Sequence, residues 1–127
     1  MMYNELVNRL IEDGIEAARK DYAGDGKYDA EKLAGSIEGF ETCRSLQPQE
    51  IKLRLEAAGK EMQIAFVRVT EKEISDGEYW RVRSRYAEIE WMANCVSAVM
   101  MNEGLEPIIP PTARAVLAVA KIVGVGL

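Results

Sequence analysis

The sequence contains no histidine, which excludes imidazole acid/base steps, histidine-dependent triads and histidine metal centres. It has only two cysteines, Cys43 and Cys95, and each falls inside an apolar helical pattern rather than a spaced framework. They read as buried free thiols, and a cysteine nucleophile would lack its usual histidine partner. There is no Gly-rich phosphate loop: "GVGL", residues 124–127, has no helical pattern after it. Strand-like alternation, internal repeats and low-complexity segments are also missing, so no sheet is expected. The longest apolar run, Ala115 to Leu127, is broken by Lys121 and is too short to span a bilayer. The opening stretch, "MMYNELVNRLIEDG", carries Asn and Glu where a secretory leader would be apolar, so a cytoplasmic protein without a signal is the expectation.

What is present is an ordinary globular balance. The chain has 127 residues, 48% hydrophobic and 29% charged, enough to bury about two thirds of its unfolded surface in one core. Residues 1–127 therefore read as a single helical domain. The net charge of −5 favours solubility and argues against general binding to nucleic acid or anionic lipid.

Apolar residues recur at helical spacing almost throughout. Leu6, Val7, Leu10, Ile11, Ile15 and Ala18 share one face of a first helix over Tyr3 to Lys20. Asp29 can cap a second, with Ala30, Leu33, Ile37 and Phe40 as its apolar face. Gly35 and Gly39 weaken that helix, because an interior glycine costs about 1 kcal/mol. Gln47 and Pro48 mark a third start. From there Ile51, Leu55, Ala58, Met62, Ala65 and Val69 follow a 4-3-4-3-4 spacing, a coiled-coil-like seam. Ser75 and Glu78 form a capping box. The fourth helix then keeps Tyr79, Val82, Tyr86, Ile89, Ala93, Val96 and Met100 at 3-4-3-4-3-4 spacing as far as Gly104. "EPIIPP" is an extended connector. A fifth helix, Pro111 to Val123, is apolar nearly all round, as a core or interface helix would be. The expected fold class is all-α: about five helices around a long antiparallel hairpin, residues 48–71 and 75–103. The heptad-like hairpin beside so apolar a last helix points to a homo-oligomer.

Three constellations bear on function. "DYAGDGKYDAEK", residues 21–32, places Asp21, Asp25, Gly26 and Asp29 at positions 1, 5, 6 and 9 of a calcium loop. Ala23 and Lys32 then stand where two oxygen ligands are required, so the segment reads as an interhelical turn rather than a metal site. On the fourth helix Arg83, Ala87, Glu90, Asn94 and Ser97 form a polar stripe beside the apolar seam. Buried polar groups need partners, and Arg83, Arg44, Arg114, a second copy or a ligand could supply them. Finally, Arg81, Arg83 and Arg85 spread over about 200° of a helix, which suits a solvated face paired with Glu78 and Glu88 better than one phosphate clamp.

Two resemblances add to this reading. Glu38 with Glu41, an ExxE, and Glu73 with Asp76, an ExxD, resemble the magnesium-binding carboxylates of all-helical nucleotide pyrophosphohydrolases of the MazG and dUTPase type. That likeness implies magnesium-dependent hydrolysis, although Glu73 and Asp76 straddle the helix start at Ser75. The stretch from "YWRVRSRYAEIEW" to "AVAKIVGV" resembles small uncharacterised helical proteins of tailed phages and prophages, a likeness that implies a setting and no site residues. The resulting expectation is a non-enzymatic, phage-related protein acting through homo-oligomerisation and a partner protein, with no catalytic residue, metal or cofactor. The alternative is a pocket for a nucleotide-like small ligand at the hairpin or an oligomer interface. In it Arg83, Glu90, Asn94 and Arg114 converge, and Tyr86 or Trp91 serves as a stacking surface.

Overall fold

The computed structural model describes residues 2–124. Five helices follow one another: α1 (Tyr3–Asp21), α2 (Asp29–Thr42), α3 (Pro48–Thr70), α4 (Asp76–Asn102) and α5 (Ala113–Val123). No strand occurs among the described residues, and none of these helices is long and apolar enough to cross a membrane. The chain is all-α, as its periodicity indicates.

The centre of the molecule is α4. Every residue from Met92 to Val99 is buried, so this half of the helix is enclosed on all sides rather than amphipathic. Leu6, Leu10 and Ile11 of α1, Phe40 of α2, Ile51 and Ala58 of α3, and Ala115 and Val119 of α5 share one hydrophobic cluster with Ile89, Met92 and Val96. The antiparallel hairpin is present. Glu61 of α3 meets Arg85 at 2.9 Å, and Phe66 lies 6.3 Å, centroid to centroid, from Tyr79. Partners on α3 thus descend as they rise on α4.

The more intimate packing is between α2 and α4, which run parallel. A Cβ added at Gly35 would lie 2.2 Å from the Arg81 carbonyl oxygen, and one at Gly39 would lie 2.6 Å from that of Arg85. The two glycines that weaken α2 as an isolated helix therefore let its backbone touch α4. Their propensity cost is offset by the apolar contact that closeness permits.

The ends of the helices follow local chemistry. Asp29 is the first residue of α2 rather than its cap, and its carboxylate accepts the Gly26 N–H at 3.1 Å, closing the turn. Ser75 caps α4 by accepting from the Glu78 N–H at 3.1 Å. Gly104 (φ 75°) reverses the chain after α4, where the Leu105 N–H donates to Met100 O at 2.8 Å. The last helix begins two residues later than Pro111, because Thr112 stays extended and caps it, its hydroxyl accepting from the Ala115 N–H.

Candidate functional site

The polar stripe of α4 divides into a structural half and a surface half. The Asn94 amide is engaged at both ends: Nδ2 donates to Glu90 O at 2.9 Å, and Oδ1 accepts the Thr112 N–H at 3.0 Å. The buried Ser97 hydroxyl accepts the Ile109 N–H at 3.2 Å. Both side chains thus clamp the connector that leads into α5, whose backbone would otherwise bury unpaired donors. Glu90 is exposed and accepts the Tyr86 hydroxyl at 2.9 Å. Burial, then the Glu90 carboxylate, raises the Tyr86 phenol above its ordinary value. The Arg114 guanidinium stands 5.7 Å from the Trp91 ring centroid, within cation–π range.

Glu90, Asn94 and Arg114 do meet along one feature, an open groove of about 880 Å³ between α1 and α5 with α4 as its floor. Leu10, Ala17, Phe40, Trp91, Leu117 and Ile122 give it apolar walls, and Asp13, Asp21, Glu88, Glu90, Arg114 and Lys121 carry its charges. Arg83 and Tyr86 do not line it. Arg83 shares Glu90's side of α4 but stands seven residues, about 10 Å, nearer the start of the helix, where it lines a smaller cleft beside α2. Three of the five residues thus share the groove, Arg83 lines the cleft, and Tyr86 lines neither and reaches the groove only through its hydrogen bond to Glu90.

Glu88, expected on a solvated face beside the arginines, is instead covered. Wedged between α4, α2 and the end of α1, its carboxyl is pushed up to about 7 by burial, with the Asp21 charge adding to the rise and the Ser36 hydroxyl opposing it. The signal lay in the glycines: a side chain on α4 opposite Gly39 is covered because the helices touch there.

The arginine segment pairs, but not with Glu78 and Glu88. Arg81 and Arg85 both bind Glu38 of α2, and Arg85 also reaches Glu61 of α3. One arginine thus ties three helices. Burial works to raise the Glu38 carboxyl, yet the hydrogen bonds and charges of Arg81 and Arg85 hold it below the usual carboxylate range. Glu41 is likewise lowered by its hydrogen bond to Arg44, which also binds Glu12 of α1 at 2.6 Å.

These pairings bear on the magnesium-type carboxylates. Glu38 and Glu41 turn to different arginines, Glu73 pairs with Arg68 at 3.4 Å, and Asp76 accepts the Tyr28 hydroxyl at 3.1 Å. Among the described residues, no three acidic or cysteine side chains come together as a metal site. Cys43 and Cys95 are buried thiols, each pushed up to about 12 by burial, far from the range of a reactive thiolate.

The outer face of α3 is the other unabsorbed feature. Leu53, Ile64 and Val67 are 64%, 59% and 52% exposed. With Ala57 and Lys60 they repeat the 4-3-4-3 spacing of the inward seam, offset by two residues and so on the opposite side of the helix. Comparison with known proteins gives no match to a family model, a curated protein or a solved structure.

Proposed function

We propose that the protein is a non-enzymatic association module in which two copies pair through the outer faces of their α3 helices. The observation that carries this reading is the second heptad-spaced stripe, Leu53, Ala57, Lys60, Ile64 and Val67, on the side of α3 turned away from α4. It runs for about 21 Å at 1.5 Å per residue. An antiparallel pair sets Leu53 of one copy against Ile64 of the other, and Ala57 against Lys60. The small alanine leaves room for the lysine stem, whose ammonium reaches the rim. In the same register Arg54 of one copy and Glu61 of the other, whose Oε2 holds Arg85 and whose second carboxylate oxygen remains for the partner, meet across the interface twice. The charges are therefore self-complementary for this orientation. The likeness of the C-terminal third to small tailed-phage proteins gives such an assembly a setting.

Sedimentation at tens of micromolar tests the reading. The expected result is a dimer that becomes monomeric in Leu53→Glu/Ile64→Glu, with the helical circular dichroism unchanged because neither residue is buried in the chain's own core. A wild-type chain that sediments as a monomer overturns it.

A second reading rests on the groove, where the Trp91 ring beneath Arg114 offers a face and a charge for a small planar anion such as a nucleotide. A thermal-shift panel of nucleotides, repeated on Trp91→Leu, tests it; a shift that survives the substitution removes the groove from consideration.

A further inference from the structure

A second cleft, of about 170 Å³, opens between α2 and α4. Lys32 of α2 and Arg83 of α4 converge there on one indole: the Lys32 Nζ lies 4.4 Å and the Arg83 Cζ 5.2 Å from the Trp80 ring centroid. Their neighbours Arg81 and Arg85 are neutralised by Glu38 and Glu61. Among the described residues, Lys32 and Arg83 have no carboxylate within ion-pair distance. Arg83 donates only to the Tyr79 hydroxyl, at 3.3 Å. The cleft is also lined by two serines, Ser36 and Ser84, both buried.

We propose that this cleft binds the phosphoryl group of a small phosphate monoester, with Lys32 and Arg83 as its counter-charges and the Ser84 hydroxyl as a further donor. In an acidic protein that satisfies its other arginines along α4, two cations left together beside a concave surface are an anion site in charge and in donor type. The volume suits a tetrahedral oxyanion and excludes a whole nucleotide, whose remainder would lie outside, along the near-parallel Tyr28 and Trp80 rings. Trp80 holds the cations in place before the anion arrives, which lowers the ordering cost of binding.

Glu88 also lines the cleft. Asp21 and Tyr22 face it from the end of α1, Ser36 and Lys32 from α2, and Arg83 from its own helix. With its carboxyl pushed up to about 7 by burial, it is a donor in mildly acidic solution and a repelling charge in alkaline solution. The affinity of the wild-type chain relative to that of Glu88→Gln, a ratio in which the phosphate's own titration cancels, should therefore rise as pH falls from about 8 to about 6.

Titration calorimetry of the full chain with inorganic phosphate, ribose 5-phosphate and adenosine monophosphate tests the site. The expected result is saturable binding of all three, weakened about tenfold or more by Lys32→Gln or Arg83→Gln, since losing one charge-assisted contact removes at least that factor. Both substitutions retain an aliphatic stem over Trp80 and leave the melting temperature unchanged. Glu88→Gln should remove the protein's share of the pH dependence and leave that of the phosphate's second ionisation. Lys52→Gln, the same charge change on α3, should leave binding unaltered. No saturable binding up to about 10 mM phosphate overturns the proposal, as does an equal loss in the Lys52 variant, which would mean diffuse electrostatic attraction.

Discussion

Single atoms decide how α2 meets α4. An alanine methyl at residue 35 would stand 2.2 Å from a main-chain oxygen, which cannot give way as a side chain can. Gly35→Ala should therefore destabilise by about 1–3 kcal/mol in urea melts, despite alanine's better helix propensity. Gly59→Ala is the control. Its methyl would meet the Tyr86 ring at 3.5 Å, an ordinary contact, and should stabilise by about 0.5–1 kcal/mol. Asn94→Ala leaves the Thr112 N–H without its acceptor and should cost about 1–3 kcal/mol. Glu88 gives a pH signature. Its folded carboxyl titrates near 7 against an ordinary value of 4.5, so the folded chain holds a proton that the unfolded chain releases. The stability this contributes is complete below about 4.5 and is lost as pH rises through about 7. Glu38 and Glu41, both lowered, act in the opposite sense and lose their contribution as pH falls through the acid range. The difference in stability between Glu88→Gln and wild type should thus shift in the variant's favour between about pH 5 and 7.5, and be flat above it.

Among the elements, α3 carries two apolar seams, whereas the second half of α4 is enclosed on every side. Ile51, Ala58 and Ala65 of α3 are buried against the rest of the fold, whereas Leu53, Ile64 and Val67 face outward. A helix with apolar stripes on opposite sides has one more face than its own chain covers, and for that reason the pairing surface is placed there. Because the two seams are separate, substitutions on the outer one should change association without changing the monomer's melting temperature. Ala58→Asp on the inner one should unfold the chain by burying an unpaired charge. Concentration-dependent thermal melts of the two variants distinguish these outcomes.

At the scale of the whole molecule, Cys43 and Cys95 report on global opening. Both are fully buried, from α2's end and α4's middle, and both thiols are pushed up to about 12 by burial. A thiol reagent should label neither in the native state, and both at one common rate as denaturant approaches the midpoint, because both lie at 0% exposure within one hydrophobic cluster. Labelling of Cys43 well before Cys95 would show that α2 detaches on its own, a failure of the glycine-mediated contact that joins it to α4.

The sequence by itself determined the elements. The three- and four-residue spacing, the Ser75 cap, Pro48 and Gly104 place the helices within about two residues, because these signals act within one turn of chain. The hairpin was legible too, since two matched heptad seams joined by a short turn have one simple way to bury both. The candidate site was legible only in part: Glu90, Asn94 and Arg114 all line the groove, but whether Asn94 faces a ligand or a backbone depends on where residues 105–112 return. Tertiary structure alone decided that α2 lies parallel on α4, and with it that Glu88 is covered, Arg81 and Arg85 are neutralised, and Lys32 stands beside Arg83. Those facts depend on which two helix faces touch. A helix's own periodicity identifies a face but carries no information about its partner.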